Sequence, residues 1–249
     1  MTNHSSIISG TVSGAGGIEI KATIPDAQID KALARFKLSA DNDQERFIYF
    51  FDTPALDLLN AGIVARARRI IGKEHDSTVK ARPVVPEKVS TDWNKYPGFK
   101  IEADASEKGV VKSASLSMPV EKGLIKAVLA GEKKIVKLFA REQEAFVAEL
   151  VKGKIDYSTV AILGPLHAQR WKLEDRGCPW PITAELWRRE DGERLMEVSI
   201  KAPIPQAAAA IGGFMAFLAE MGAERDTEQQ TKTRWALEFY AAKLGAKAG

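Results

Sequence analysis

The chain has 249 residues, 45% of them hydrophobic and 28% charged, which is enough apolar material to bury a core and excludes a chain too polar to fold. Lys and Arg number 36 against 33 Asp and Glu, a formal net charge of +3, so no global basic field points to nucleic acid and any electropositive site must be local. A single cysteine, Cys178, excludes an intrachain disulfide framework and a cysteine-ligated zinc site.

Residues 1–16, rich in Ser and Gly, read as a disordered leader. They lack the basic-then-apolar order of a signal peptide, and no Gly-Lys-Ser/Thr follows "SGAGG" as a phosphate-binding loop requires. "GIEIKAT" alternates as a strand, with Ile18 and Ile20 opposite Glu19 and Lys21. Pro25 and Asp26 open a helix that runs to about Phe36. "RFIYFFD" is a strand apolar on both faces. "TPALDLLNAG" predicts a short helix capped by Thr53, with Pro54 at its first position and Gly62 as its stop. "IVARARRI" sets Arg66 and Arg68 against Ile63, Ala65 and Ala67, and "DSTVKAR" sets Lys80 and Arg82 against Val79 and Ala81. In "GFKIEADA", Lys100, Glu102 and Asp104 oppose Phe99, Ile101 and Ala103, and in "VKSASLSM" Ala114 and Leu116 oppose serines. Helical spacing covers 120–163 and is clearest where Ile135, Phe139, Phe146 and Leu150 form one stripe. Strands resume at "AQRWKLE", "ITAELWR" and "RLMEVSIKA", the last two joined by a turn at Asp191-Gly192. Helices over about 206–221 and 227–244 close the chain. The most apolar run, from Ala207, is too short to span a bilayer, so a soluble cytoplasmic protein is expected.

Strand after strand therefore carries one apolar and one charged face: Glu19/Lys21, Arg66/Arg68, Lys80/Arg82, Arg170/Lys172 and Glu197/Lys201. The apolar faces need the amphipathic helices as cover. An α+β fold satisfies this, with a closed or nearly closed eight-stranded antiparallel β-barrel, helices packed outside, and charged rows turned inward. It would form one domain over 17–249, with a helical insertion at 120–163. A lining of both signs is costly to bury dry, so the interior is expected to be a wet tunnel that takes an ion-rich ligand. Arginine at 66, 68, 82 and 170 presents forked donors suited to phosphate oxygens. The rows lack interleaved aromatics and include carboxylates, which argues against nucleic acid.

The segment "YFFDTPALDLLNAGIVARARR" resembles the signature of the CYTH superfamily, the triphosphate tunnel metalloenzymes, in which it supplies two tunnel arginines. "IEIK" resembles the end of that family's ExExK motif, "STVKAR" its next basic strand, and "AELW" with "MEVSIK" its late acidic strands. The resemblance implies an antiparallel barrel that binds a triphosphate with Mg²⁺ or Mn²⁺. Lys21, Arg66, Arg68, Lys80 and Arg170 would bind phosphates, Arg82 would assist, and Lys232 would match a C-terminal tunnel lysine. Glu19, Glu185 and Glu197 would face the metal, and Glu19, Glu197 and Lys21 would form the catalytic set. Two positions depart from the motifs: Gly17 and Ser199 stand where carboxylates are expected, with Glu102 or Asp104 as substitutes.

The implied function is a metal-dependent hydrolase, a triphosphatase acting on inorganic triphosphate, polyphosphate or an organic triphosphate. The alternatives are a catalytically weakened triphosphate-binding module and a class IV-type adenylate cyclase, although nothing reads as an adenine pocket. The expected partner is a small-molecule triphosphate or polyphosphate, with no nucleic acid and no membrane; a homodimer is left open. His4, His75 and His167 are scattered without metal-ligand spacing. Cys178 has no base partner in "RGCPWP". Trp171, Trp187 and Trp235 read as packing residues, with Trp187 on the strand face of Glu185. Asp52 and Thr53 read as caps.

Overall fold

The computed structural model describes residues 16–106, 109–151, 154–174, 178–223 and 231–248. The expected leader, but for its last residue, lies outside the described residues. In chain order the elements are β1 (Ile18–Ile24), α1 (Asp26–Phe36), β2 (Gln44–Asp52), α2 (Asp57–Asn60), β3 (Ile63–Ile70), β4 (His75–Ala81), β5 (Phe99–Ser106) and β6 (Gly109–Val120). They continue with α3 (Leu124–Leu129), α4 (Arg141–Val151), β7 (Ala161–Leu173), β8 (Ile182–Arg188), β9 (Arg194–Ala202), α5 (Ala207–Glu220) and α6 (Lys232–Ala248).

Hydrogen bonding closes the strands into a barrel in the order β1-β5-β6-β4-β3-β2-β7-β8-β9. The expected eight-stranded antiparallel barrel is thus corrected to nine strands and a mixed sheet, because β1 pairs with β5 in parallel. Alternation shows which face a side chain takes and nothing about its neighbour strand. The long stretch between β1 and β5 supplies the crossover that a parallel pair needs.

The chain packs as two compact units. The first comprises the described residues of Met1–Glu45, Ile101–Lys112 and Ala168–Gln229. Its core forms where α1 (Ile29, Ala32, Phe36) and α5 (Ala210, Phe214, Phe217) cover Ile18, Ile20, Ala184, Val198 and Ile200. The charged partners of those positions are left on the opposite strand faces, as the alternating burial of β1 shows.

The second unit comprises the described residues of Arg46–Lys100, Ser113–His167 and Gln230–Gly249. Here α4 packs on β4. Phe146 meets Trp93 and Phe99 edge to face, and Phe139 meets Phe51 in the same way. Gln143, fully buried, locks the helix down: its amide donates to the carbonyls of Ser77 (3.2 Å) and Leu116 (3.0 Å), and its Oε1 accepts from Ser77 Oγ and from Ala140 N–H, both at 3.0 Å. The last bond is half of a capping box. It explains why the single helical stripe expected through Ile135 and Leu150 is instead a 3₁₀ turn (Ile135–Leu138) followed by α4. The expected start of the last helix at 227 lies outside the described residues; the helix is present from Lys232.

The short helix before β3 also departs from expectation. Pro54 and Ala55 form a turn, and only Asp57–Asn60 is helical, entered through Leu56 at φ +59°. Thr53 caps it as expected, its Oγ1 accepting from the amide of Asp57 at 3.1 Å, and Asp52 joins it, its carboxylate accepting from the amides of Thr53 (2.8 Å), Leu58 and Leu59 (both 2.9 Å). Burial pushes its carboxyl pKa up, opposed by those three bonds. Gly62 then has to be glycine: its φ is +78°, and a Cβ would lie 2.6 Å from the carbonyl oxygen of Arg82. No helix among the described residues is long and apolar enough to cross a membrane.

Candidate functional site

In the first unit, strand register stacks polar side chains into three rungs. β8 and β9 place Glu185 opposite Glu197 and Thr183 opposite Ser199. Antiparallel β9 and β1 continue those rungs to Thr23 and Lys21 and pair Lys201 with Glu19, which the parallel β5 flanks with Asp104. The middle rung is thus Thr183, Ser199, Lys21, with carboxylates on the rungs to either side.

Lys21 holds this ladder together. Its ammonium lies 3.0 Å from Asp104 Oδ1 and 3.2 Å from Glu19 Oε2. Burial alone would lower its pKa. The charges of Glu197, Glu19 and Asp104, with a hydrogen bond to Asp104, outweigh burial and hold it above the ordinary lysine value. Ser199 Oγ donates to Glu19 Oε1 at 3.3 Å. Glu185 and Glu197 are like charges directly opposite each other, an arrangement that needs a cation nearby. Arg170 supplies one, with Nε 3.4 Å from Glu185 Oε1 and an Nη 3.5 Å from Thr183 Oγ1. Lys201 is bonded to Glu102 at the ladder's edge.

This ladder does not fit a resident metal cage. Among the described residues no three His, Cys, Asp or Glu side chains are gathered to hold an ion. The register explains why. Glu197 is opposite Thr23, four residues along β1 from Glu19, or about 13 Å at strand rise. Lys21 stands between them. Where the resemblance expects carboxylates, Ser199 occupies the middle rung, and a Cβ at Gly17 would lie 3.3 Å from the carbonyl oxygen of Ala202.

In the second unit the ladder is mostly basic. β3 and β4 place Arg66 opposite Thr78, Arg68 opposite Asp76 and Val64 opposite Lys80. β6 extends these rungs with Ser117 and Ser115, and Thr78 Oγ1 and Ser117 Oγ lie 2.9 Å apart. Arg68 makes a two-pronged bond to Asp76 at 2.8 and 2.6 Å. Arg82 follows the end of β4, where its amide donates to Gly62 O at 2.8 Å, so the Gly62 turn sets its position. Three cations at alternate positions on paired strands, with Arg82 just beyond them and hydroxyl groups alongside, suit a chain of phosphate oxygens.

The structure therefore brings Glu19, Lys21, Arg170, Glu185 and Glu197 together in one ladder, and Arg66, Arg68, Lys80 and Arg82 in the other. Lys232 opens α6, half-buried. Trp171 and Trp187 are each 2% exposed and belong to the packing, Trp171 donating to the carbonyl of Ser39 at 2.9 Å. His75 Nδ1 accepts from the amide of Ile70, and His167 packs on Phe47. His4 lies outside the described residues. Asp76, Thr78, Thr183 and Ser117 were missed from sequence. Their alternation with the named residues was visible, but only register shows Asp76 facing Arg68.

No protein-family model and no curated protein sequence matches the chain. Solved structures do. A candidate adenylate cyclase from Bacillus halodurans is similar over 88% of this chain and 96% of its own, at 13% identity and TM-score 0.60. A candidate adenylyl cyclase from Hippeastrum, described as having a dominant triphosphatase activity, is similar over 87% and 92%, at 18% identity and TM-score 0.60. Both likenesses show the fold, a closed β-barrel with helices, and are consistent with the resemblance of the strand motifs.

Proposed function

We propose that the protein binds a triphosphate-bearing small molecule, or inorganic tri- or polyphosphate, and hydrolyses one of its phosphoanhydride bonds. The observation that carries this reading is the row of Arg66 and Arg68 on β3 and Lys80 on β4, with Arg82 just past the end of β4. These side chains neutralise phosphate oxygens, so charge on the transferred group is offset in place. The Hippeastrum protein, with the same fold, supports the choice of triphosphate chemistry.

In this reading Mg²⁺ or Mn²⁺ arrives already bound to the phosphates, as part of the substrate. Such ions keep waters and phosphate oxygens and need only one or two carboxylates, which the Glu185 and Glu197 pair supplies. Glu197 also orients the attacking water. One observation favours a second reading, binding without efficient turnover: Lys21 occupies the acidic nest between Glu19 and Asp104.

The test is phosphate release from tripolyphosphate with Mg²⁺ or Mn²⁺, alongside Glu197→Ala and a chelated control, with calorimetric binding by Arg66→Ala. Metal-dependent turnover lost in Glu197→Ala supports the hydrolase. Binding lost in Arg66→Ala without any turnover supports the second reading. Neither turnover nor binding refutes both.

A further inference from the structure

A cavity of about 1070 Å³ lies within the helical insertion of the second unit, between α3, the 3₁₀ turn, α4 and the start of β7. None of the residues of the two ladders lines it. Its wall is aliphatic, built from Val128, Val136, Ala145, Ala148 and Ile162, and four cations border it: Lys133, Lys134, Arg141 and Lys154. Two carboxylates oppose them. Asp156 is engaged by the amide and hydroxyl of Ser158 at 2.9 and 2.6 Å, which lowers its pKa and keeps it ionised. Glu144 is the other. The balance at the rim is therefore positive.

One polar group in this cavity lacks a counterpart. Tyr157 stacks on Phe139 with ring centroids 5.1 Å apart, and its hydroxyl oxygen is buried with no hydrogen-bond partner among the described residues. Burial and then the charge of Glu144 push its pKa up, so the hydroxyl keeps its proton and remains a donor. A buried hydroxyl without a partner is costly, and native structures satisfy such groups with water or a ligand.

We propose that this cavity is a second binding site, for an amphipathic organic anion. The apolar body lies on the aliphatic wall, the anionic head meets the lysine and arginine rim, and Tyr157 donates to an oxygen of the ligand. The size, the mostly apolar lining and the few converging polar groups are those of a small-molecule site, and the rim charge selects the sign. The site stands independently of the triphosphate reading.

The test uses the full-length protein and the fluorescent anion 8-anilinonaphthalene-1-sulfonate, displaced by dodecanoate or by tripolyphosphate. Saturable fluorescence, displaced by dodecanoate and unaffected by tripolyphosphate, is the expected result. Ala148→Trp, which fills the cavity, removes it; Ala145→Trp, at an exposed wall position, does the same if the first variant does not fold. The double reversal Lys134→Glu/Lys154→Glu at the exposed rim weakens binding about tenfold. Unchanged binding in the wall variants or the rim variant, displacement by tripolyphosphate, or no saturable signal overturns the proposal.

Discussion

Replacing Lys21 with methionine removes the cation and keeps most of the side-chain volume. Asp104, 2% exposed, then loses an ammonium at 3.0 Å, and Glu19, 17% exposed, loses one at 3.2 Å. Breaking a fully buried ion pair costs about 3–5 kcal/mol. The Lys21 side chain is 22% exposed, so screening reduces the expected loss to about 2–3 kcal/mol. For a chain of this length that is a fall in Tm of about 5–10 °C. The pH dependence has a definite sign. A buried carboxylate without its cation takes up a proton at higher pH than it does unfolded, so the native variant binds the extra proton and gains stability as pH falls. The deficit at pH 8 should therefore shrink at pH 5. The parent behaves differently: the pKa of Lys21 is raised on folding, so its contribution is fully present below the ordinary lysine pKa of about 10.4 and is lost only as pH rises through the raised value. With the ammonium gone, the nest can accept Mn²⁺, which should raise the Tm of the variant and leave the parent unchanged. Circular-dichroism melts at both pH values, with and without Mn²⁺, check all three points. A variant as stable as the parent at pH 8, or a deficit independent of pH, would refute the account of Lys21 as the resident cation.

The other predictions concern neighbouring features. Arg66→Ala should weaken tripolyphosphate binding by about 10- to 100-fold, whereas Asp76→Asn, which releases the forked bond of Arg68, should strengthen it; calorimetry showing the reverse order contradicts the basic-ladder assignment. Gln143→Leu leaves the carbonyls of Ser77 and Leu116 and the amide of Ala140 without this partner and should cost about 2–4 kcal/mol, read from the urea midpoint; an unmoved midpoint removes Gln143 from its locking role. Ser199→Glu adds a carboxylate to the middle rung beside Glu19 and should lower Tm without Mg²⁺ and recover it with Mg²⁺. An equal Tm in the two conditions would mean that position 199 does not face the nest.

Much of the site was legible in the chain because a strand has a period of two. The pairs Glu19/Lys21 and Arg66/Arg68 could be placed on one face each, and the covered faces under α1, α5 and α4 could be inferred from the apolar alternates. Period and propensity were weaker guides in the insertion, where a continuous apolar stripe is cut by the Gln143 bond to Ala140. They failed in the same way at Pro54, which looked like the first residue of a helix. There the buried carboxylate of Asp52 gathers the amides of Leu58 and Leu59 and starts the helix later.

Local order in the chain determined which residues are strands, which face of each strand is charged, and that arginine predominates on β3, because these depend on neighbours two to four positions away. Partnership was decided only by tertiary structure. That β1 lies parallel to β5, that Arg68 faces Asp76, and that Lys21 sits among Glu19, Asp104 and Glu197 all depend on strand register. A shift of one residue would move every one of these side chains to the other face, and it is the burial of the apolar faces under the helices that selects the register.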